Sequence, residues 1–299
     1  MFVEEENKEM AAETRNDPTI AKKIVELVRS KRLFDLKPTD EQCRDCIRLA
    51  EQEVMKGEGA QHCEFHGPHI GSKYGNLSPR LVLVGLENPE RNYYHGQWDA
   101  SICTEPELVC REQALEEPKI RFGSPHRNGE FVLIKSIFKS VENPFAHVAT
   151  LNRRLHGVRG GRGGRKSKSG CLPACPYAAE ILRLLRPEVI VIEGRQHGWL
   201  PTGKGWGTWI HRPDLKFSAK LGKKRPSTQS ADIFTTDLDG NKVALVLANH
   251  PSTLGVGRWT SNKGNFNYMD TVLVPAVRKA IDIRQSPMGG VTAAGQADT

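Results

Sequence analysis

The sequence lacks any apolar run that approaches the roughly 20 residues needed to cross a membrane as a helix. Its first residues, MFVEEENKEM, contain neither a basic start nor an apolar centre, so we expect no signal peptide. Hydrophobic residues make up 38% of the 299 residues, which is low but sufficient for a core. These absences argue against an integral membrane protein and predict a cytoplasmic protein with no membrane partner. We also expect a monomer.

Acidic residues are outnumbered by basic ones, and one segment contains no acid. The formal net charge is +8 at pH 7. Residues 153–169 carry seven Lys or Arg residues interspersed with glycine. Such a segment can follow phosphates without reading the base sequence, although a solvated loop can have the same composition. The charge balance favours a polyanionic partner, most often a nucleic acid.

The chain has seven cysteines, and without a secretory signal these are expected to be thiols or metal ligands rather than disulfides. Two close pairs stand out, one with two and one with three intervening residues. The four cysteines of these pairs are Cys43, Cys46, Cys171 and Cys175. Two such pairs can close around one [4Fe-4S] cluster, which needs four thiolates. Zinc is the alternative, because Cys63 and His66 continue the first pair with finger-like spacing.

Four short apolar runs bounded by turn residues predict strands that are buried on both faces. They cover residues 81–86, 147–151, 189–192 and 243–248. Helical spacing of apolar residues predicts helices between and around them, including 129–141, 177–185 and 268–283. This alternation predicts an α/β fold, a three-layer α/β/α sandwich with a central four-stranded, mainly parallel sheet.

The same patterns predict a single domain over residues 18–284. Residues 1–17 are acidic and polar and are expected to be disordered, and residues 285–299 are expected to form a flexible tail. A helix over about 39–56 would carry the first cysteine pair. Inserts are expected near 57–78, 91–121, 153–170 and 195–240.

Polar residues follow three of the four predicted strands. Glu87 and Asn88 come just after the first strand, Asn152 follows the second, and His250 follows the fourth. Because ligands bind at the carboxyl ends of strands in open α/β sheets, we expect these side chains to line one site. An imidazole there could stabilise an oxyanion or move a proton near neutral pH, although a lone histidine more often has a structural role.

The order of these features resembles the uracil-DNA glycosylase superfamily, especially its iron–sulfur branch (families four and five). The resemblance covers residues 39–280 approximately. Its parts are the first cysteine pair with LAE at 49–51, the turn GLENP at 85–89, the strand-ending Asn152, Cys175 before LLRPEVIVIEG, and the motif HPS at 250–252. Their order and spacing carry the resemblance, since no single motif is specific.

This resemblance implies a hydrolase, a monofunctional DNA glycosylase with DNA as its partner. Such an enzyme flips out a non-standard base and hydrolyses its N-glycosidic bond, leaving an abasic site, in DNA repair or antiphage defence. It also favours the [4Fe-4S] cluster over zinc. The turn GLENP departs from the family's GEAPG, and His126 follows Gly-Ser-Pro where the family has an aromatic residue. These departures indicate a changed base pocket. We therefore expect the base to be uracil or an enlarged pyrimidine, such as the glucosylated hydroxymethylcytosine of phage DNA. A non-catalytic nucleic-acid-binding protein on this fold is the alternative.

The residue patterns and the resemblance together predict roles for individual residues. The predicted catalytic residues are Glu87, Asn88 and His250. The predicted base-binding residues are Asn152, Tyr93, Tyr94 and His126. The predicted DNA-binding residues are Arg153, Arg154, Ser252, Leu254 and Arg258. The predicted cluster ligands are Cys43, Cys46, Cys171 and Cys175, with Cys63 as the alternative to Cys171.

Overall fold

A computed structural model describes residues 19–31, 33, 61–65, 67–85, 125–153, 155–159, 176–194, 199–215, 217–221, 227–251, 259, 262–263 and 266–285. The strands are β1 (Gln61–Phe65), β2 (His69–Ile70), β3 (Leu81–Gly85), β4 (Val148–Asn152), β5 (His156–Arg159), β6 (Val189–Glu193), β7 (Ile210–His211), β8 (Phe217–Leu221), β9 (Ser227–Leu238), β10 (Asn241–Ala248), β11 (Asn262–Lys263) and β12 (Phe266–Asn267).

The four predicted buried strands are confirmed as β3, β4, β6 and β10. They lie side by side in the order β4-β3-β6-β10, and each neighbouring pair is parallel. The α/β fold class is therefore confirmed. Their near-continuous Val, Leu and Ile sequences suit strands that are covered on both faces.

The prediction of a four-stranded sheet is wrong, because the described chain forms a sheet of eight strands. The antiparallel strand β2 adds to β4 at one side. At the other side, the antiparallel strand β9 pairs with β10, and β7 and β8 both pair with β9. The sequence of β9, STQSADIFTTDL, is mostly polar, so it contains no apolar run that would predict a central strand.

The helices are α1 (Thr19–Ser30), α2 (Pro125–Ile137), α3 (Pro176–Leu185) and α4 (Val274–Gln285), and a π-helical turn, Met269–Leu273, leads into α4. Helix α2 begins at Pro125, four residues before the predicted start at 129. Proline is well suited to the first turn of a helix, where its missing N–H is not needed. This earlier start places His126 in the first turn of α2. The predicted helix over 39–56 lies outside the described residues.

Alternating side chains of the sheet enter two apolar layers. One layer joins Val82, Val84, Ile190 and Leu245 to residues of α1 and α3. The other layer joins residues of the opposite parity to α2 and α4; it includes Leu81, Leu83, Val148, Val189, Val191 and Ala248. Successive side chains of a strand point to opposite faces, so helices cover both faces of the sheet. None of the helices in the described ranges is both long and apolar enough to cross a membrane.

Strand β6 is anchored at its amino end by a buried carboxylate. Glu188 accepts hydrogen bonds from Ser78 Oγ (3.1 Å) and from the Arg80 backbone N–H (2.8 Å). Its other oxygen lies 2.5 Å from the Arg284 guanidinium, on α4. The carboxylate therefore links the start of β6 to the segment before β3 and to a helix.

Helix α2 packs closely on the segment that follows β10. A Cβ atom added to Gly129 would lie 3.1 Å from Pro251 Cβ and 3.2 Å from two atoms of Trp259, which is fully buried. The absence of a side chain at Gly129 thus lets α2 approach this segment. The contact holds the first turn of α2 next to the end of β10.

We expect Gly129→Val to destabilise the protein by about 1–3 kcal/mol, because the added methyl groups overpack the contact with Trp259. The measurement is the free energy of unfolding from urea denaturation. Val132→Ala is the control, since Val132 lies on the same helix and is exposed, and we expect a change within about 0.5 kcal/mol. Equal stabilities of the Gly129→Val variant and the wild type would contradict the packing argument.

Candidate functional site

The last residues of the four parallel strands form one row at the carboxyl edge of the sheet. Gly85 pairs with Asn152, and Glu193 pairs with Ala248. A Cβ atom added to Gly85 would lie 2.6 Å from Asn152 Oδ1 and 3.7 Å from Glu193 Oε2. Two polar side chains therefore lie next to this glycine, and a Cβ atom at this position would displace the Asn152 side chain.

The parity of β6 decides where Glu193 points. Val189 and Val191 face the layer that contains α2, so Glu193 faces the same layer. The backbone after it turns at Gly194, whose φ of 129° suits only glycine. The Gly194 N–H donates to the Ala248 carbonyl at 2.9 Å, which holds this turn against the end of β10.

The first turn of α2 supplies a histidine and a second carboxylate. His126 Nε2 lies 2.5 Å from Glu193 Oε2 and 3.4 Å from Glu130 Oε1. His126 and Glu130 are four residues apart and so share one face of the helix. The other oxygen of Glu130 accepts a hydrogen bond from the Arg127 guanidinium at 2.7 Å. The side chains of Glu193 and Glu130 are 0% and 3% exposed, and that of His126 is 21% exposed.

These neighbours shift the pKa values of the three groups. Burial lowers the pKa of His126, but the charges of Glu193 and Glu130 outweigh it and raise this pKa to about 10. Burial raises the pKa of Glu130, but Arg127 and His126 outweigh it and lower this pKa to about 2. Burial raises the pKa of Glu193, against the opposing charge of His126. His126 and Arg127 are thus the basic partners of Glu193 and Glu130 in this cluster.

His250 adjoins this cluster. Its ring lies edge-on to the ring of His126, with centroids 4.9 Å apart and planes at 71°. The preceding residue, Asn249, is held by its backbone: its N–H donates to Tyr268 Oη (3.0 Å) and its carbonyl accepts from Trp259 Nε1 (2.6 Å). The buried Tyr268 hydroxyl donates in turn to the Ser230 carbonyl. The start of the loop after β10 is therefore fixed to the sheet.

Three of the predicted site residues come together at this edge: Asn152, His126 and His250. Their grouping is what the strand-end argument predicts for Asn152 and His250. His126 was predicted to stack on a base, and in the structure its Nε2 faces two carboxylates and its ring contacts His250.

Arg153 is 5% exposed, and its backbone N–H donates to the Gly85 carbonyl at 3.0 Å. This buried position does not support the predicted DNA contact, because a guanidinium that binds phosphates needs solvent access. The other predicted residues lie outside the described part of the chain. They are Glu87, Asn88, Tyr93, Tyr94, Arg154, Ser252, Leu254, Arg258, Cys43, Cys46, Cys63, Cys171 and Cys175.

Two residues of the cluster, Glu130 and Glu193, were not predicted. Glu193 ends an apolar strand, the same signal that identified Asn152. Glu130 follows His126 by one helical turn. The predicted helix began at residue 129, after His126, so the two residues were not expected to share a helix face.

Among the described residues, one group could hold a metal ion. Single ligand atoms of His126, Glu130 and Glu193 all lie within 4.8 Å of one another. The predicted ligands of the iron–sulfur cluster are outside the described residues, so that cluster stays a prediction.

No protein-family model matches the chain, and no curated protein matches it.

The pH dependence of stability tests the charge assignment. A His126 pKa raised from 6.5 to about 10 contributes stability that is complete below pH 6.5 and is lost as the pH rises towards 10. We expect the free energy of unfolding, measured by urea denaturation, to fall between pH 6.5 and 10 by a few kcal/mol more in the wild type than in the double variant His126→Phe/Glu193→Gln. Parallel pH profiles would contradict the assignment.

Proposed function

We propose that this protein is a monofunctional DNA glycosylase that flips out a non-standard base and hydrolyses its N-glycosidic bond to leave an abasic site. The observation that carries the proposal is the meeting of Asn152, His126 and His250 at the carboxyl edge of four parallel strands. A base inside a duplex cannot be reached, so it must be extruded into such an edge site. The role is DNA repair or antiphage defence.

Base recognition falls to Asn152. Its amide offers both a donor and an acceptor, which suits the Watson–Crick edge of a pyrimidine. It is half-buried at the end of β4 and leans over Gly85, so its position is set by the sheet. The base is uracil or an enlarged modified pyrimidine such as glucosylated hydroxymethylcytosine.

Stabilisation of the leaving base falls to His250. Cleavage of the glycosidic bond builds positive charge on the sugar and negative charge on the base. A hydrogen bond from the His250 imidazole would stabilise the base anion. The neighbouring His126 adds positive charge on the same side, since its raised pKa keeps it protonated at neutral pH.

The sugar side of the reaction falls to Glu87 and Asn88. They follow Gly85, the last residue of β3, by two and three residues in the sequence. Glu87 would stabilise the sugar cation or activate water, and Asn88 would position that water. The net charge of +8 and the basic residues between 154 and 169 favour DNA as the partner. A [4Fe-4S] cluster would support the fold and has no step in this reaction.

A base-excision assay tests the proposal. Purified protein is incubated with oligonucleotides that contain uracil, hydroxymethylcytosine or glucosylated hydroxymethylcytosine, and alkali then cleaves at abasic sites. We expect strand breaks at one modified base and none in unmodified DNA. Salt-sensitive binding of DNA without breaks from any substrate would instead support the non-catalytic alternative.

Two substitutions test the site with that substrate. We expect His250→Ala and Asn152→Ala each to lower the single-turnover rate by about 10²–10³-fold, the usual loss when a charge-stabilising donor is removed. The matched controls are His211→Ala and Asn241→Ala, because both residues are exposed and lie on β7 and β10 away from this edge. Equal effects of the site and control substitutions would refute the assignment.

A further inference from the structure

The cluster of His126, Glu130 and Glu193 has the form of a metal site built on two rigid elements. His126 and Glu130 project from one face of α2, and Glu193 projects from the end of β6. Two ligands four residues apart on a helix, with a third from another element, can all point at one ion. The set contains one imidazole and two carboxylates, which together suit a divalent first-row metal ion.

The distances fit an ion with small movements. Ligands bonded at about 2.1 Å to one ion lie roughly 3 Å apart. The separation of His126 Nε2 from Glu130 Oε1 is 3.4 Å, which already fits. The separation of His126 Nε2 from Glu193 Oε2 is 2.5 Å, so this pair must open by roughly 0.5 Å to admit an ion with such bond lengths.

A second observation indicates that a cation binds here. The other oxygen of Glu193, Oε1, is buried and has no hydrogen-bond partner among the described residues. A buried carboxylate oxygen without a partner costs free energy, which a bound cation would recover. The two oxygens of Glu130 have different neighbours: Oε2 accepts a hydrogen bond from Arg127, and Oε1 faces His126. Such a bond from a neighbouring side chain orients a metal ligand.

We propose that His126, Glu130 and Glu193 bind a divalent first-row cation such as Mn²⁺ or Zn²⁺. The cation takes the place of the proton on His126 Nε2, which is released to solvent. Three protein ligands leave a position for water, the arrangement of reactive rather than purely structural sites. The ion would lie beside His250 and Asn152, within the candidate site. The proposed ligands include no cysteine, and the site does not depend on the proposed glycosylase activity.

Binding of Mn²⁺ tests the proposal, because Mn²⁺ prefers carboxylate and imidazole ligands whereas thiolates select softer ions. Full-length protein is freed of metal with a chelator and titrated with Mn²⁺, and free Mn²⁺ is followed by electron paramagnetic resonance. We expect one tight site in the wild type and at least tenfold weaker binding in Glu193→Gln and in Glu130→Gln. Glu188→Gln is the control, because Glu188 is a buried, ion-paired carboxylate just before the opposite end of β6. We expect it to bind Mn²⁺ like the wild type.

Wild-type protein that binds no Mn²⁺, or binding that survives both site substitutions, would overturn the proposal. His126, Glu130 and Glu193 would then form ion pairs with one another and bind no metal ion. Pulsed resonance of the wild-type Mn²⁺ complex gives a measurement that does not depend on the folding of variants. We expect nitrogen coupling from one histidine ligand, and its absence would also overturn the proposal. Base excision without Mn²⁺ binding would reject the metal site alone, and Mn²⁺ binding without excision would reject the glycosylase proposal alone.

Discussion

The ion pair between His126 and Glu193 is the interaction on which the candidate site depends. Glu193 is fully buried at the end of β6, and a buried carboxylate is stable only with a positive partner and hydrogen bonds. That partner comes from α2, which Gly129 allows to approach Pro251 and Trp259. Charge and close packing therefore act together to bring a helix, a central strand and the loop after β10 to one point.

The sequence predicted the parallel centre of the sheet well, and the reason is physical. Strands covered on both faces are mainly apolar, so β3, β6 and β10 contain apolar runs of four residues or more, and in β4 only Thr150 interrupts the run. Strand β9 is mostly polar in sequence. It belongs to the sheet because its backbone pairs with β10. Composition alone could not indicate that the sheet continues past the fourth parallel strand.

The sequence predicted the part of the candidate site that lies at strand ends. It did not predict the part that depends on how a helix packs on the sheet. Asn152 and His250 follow buried strands, and parallel strands bring their carboxyl ends to one edge. The contact between His126 and Glu193 joins residues 67 positions apart, and it depends on how α2 packs on the sheet. The spacing of residues in the sequence does not predict that packing.

Strand β6 has buried carboxylates at both ends, Glu188 just before it and Glu193 as its last residue, and each is neutralised from a different direction. Arg80 and Arg284 hold the first, and His126 holds the second. A slip of β6 by one residue against β3 and β10 would turn its valines and isoleucines to the wrong faces. The same slip would strip both carboxylates of their partners at once. The two ion pairs therefore stabilise the native register of β6 relative to a register shifted by one residue.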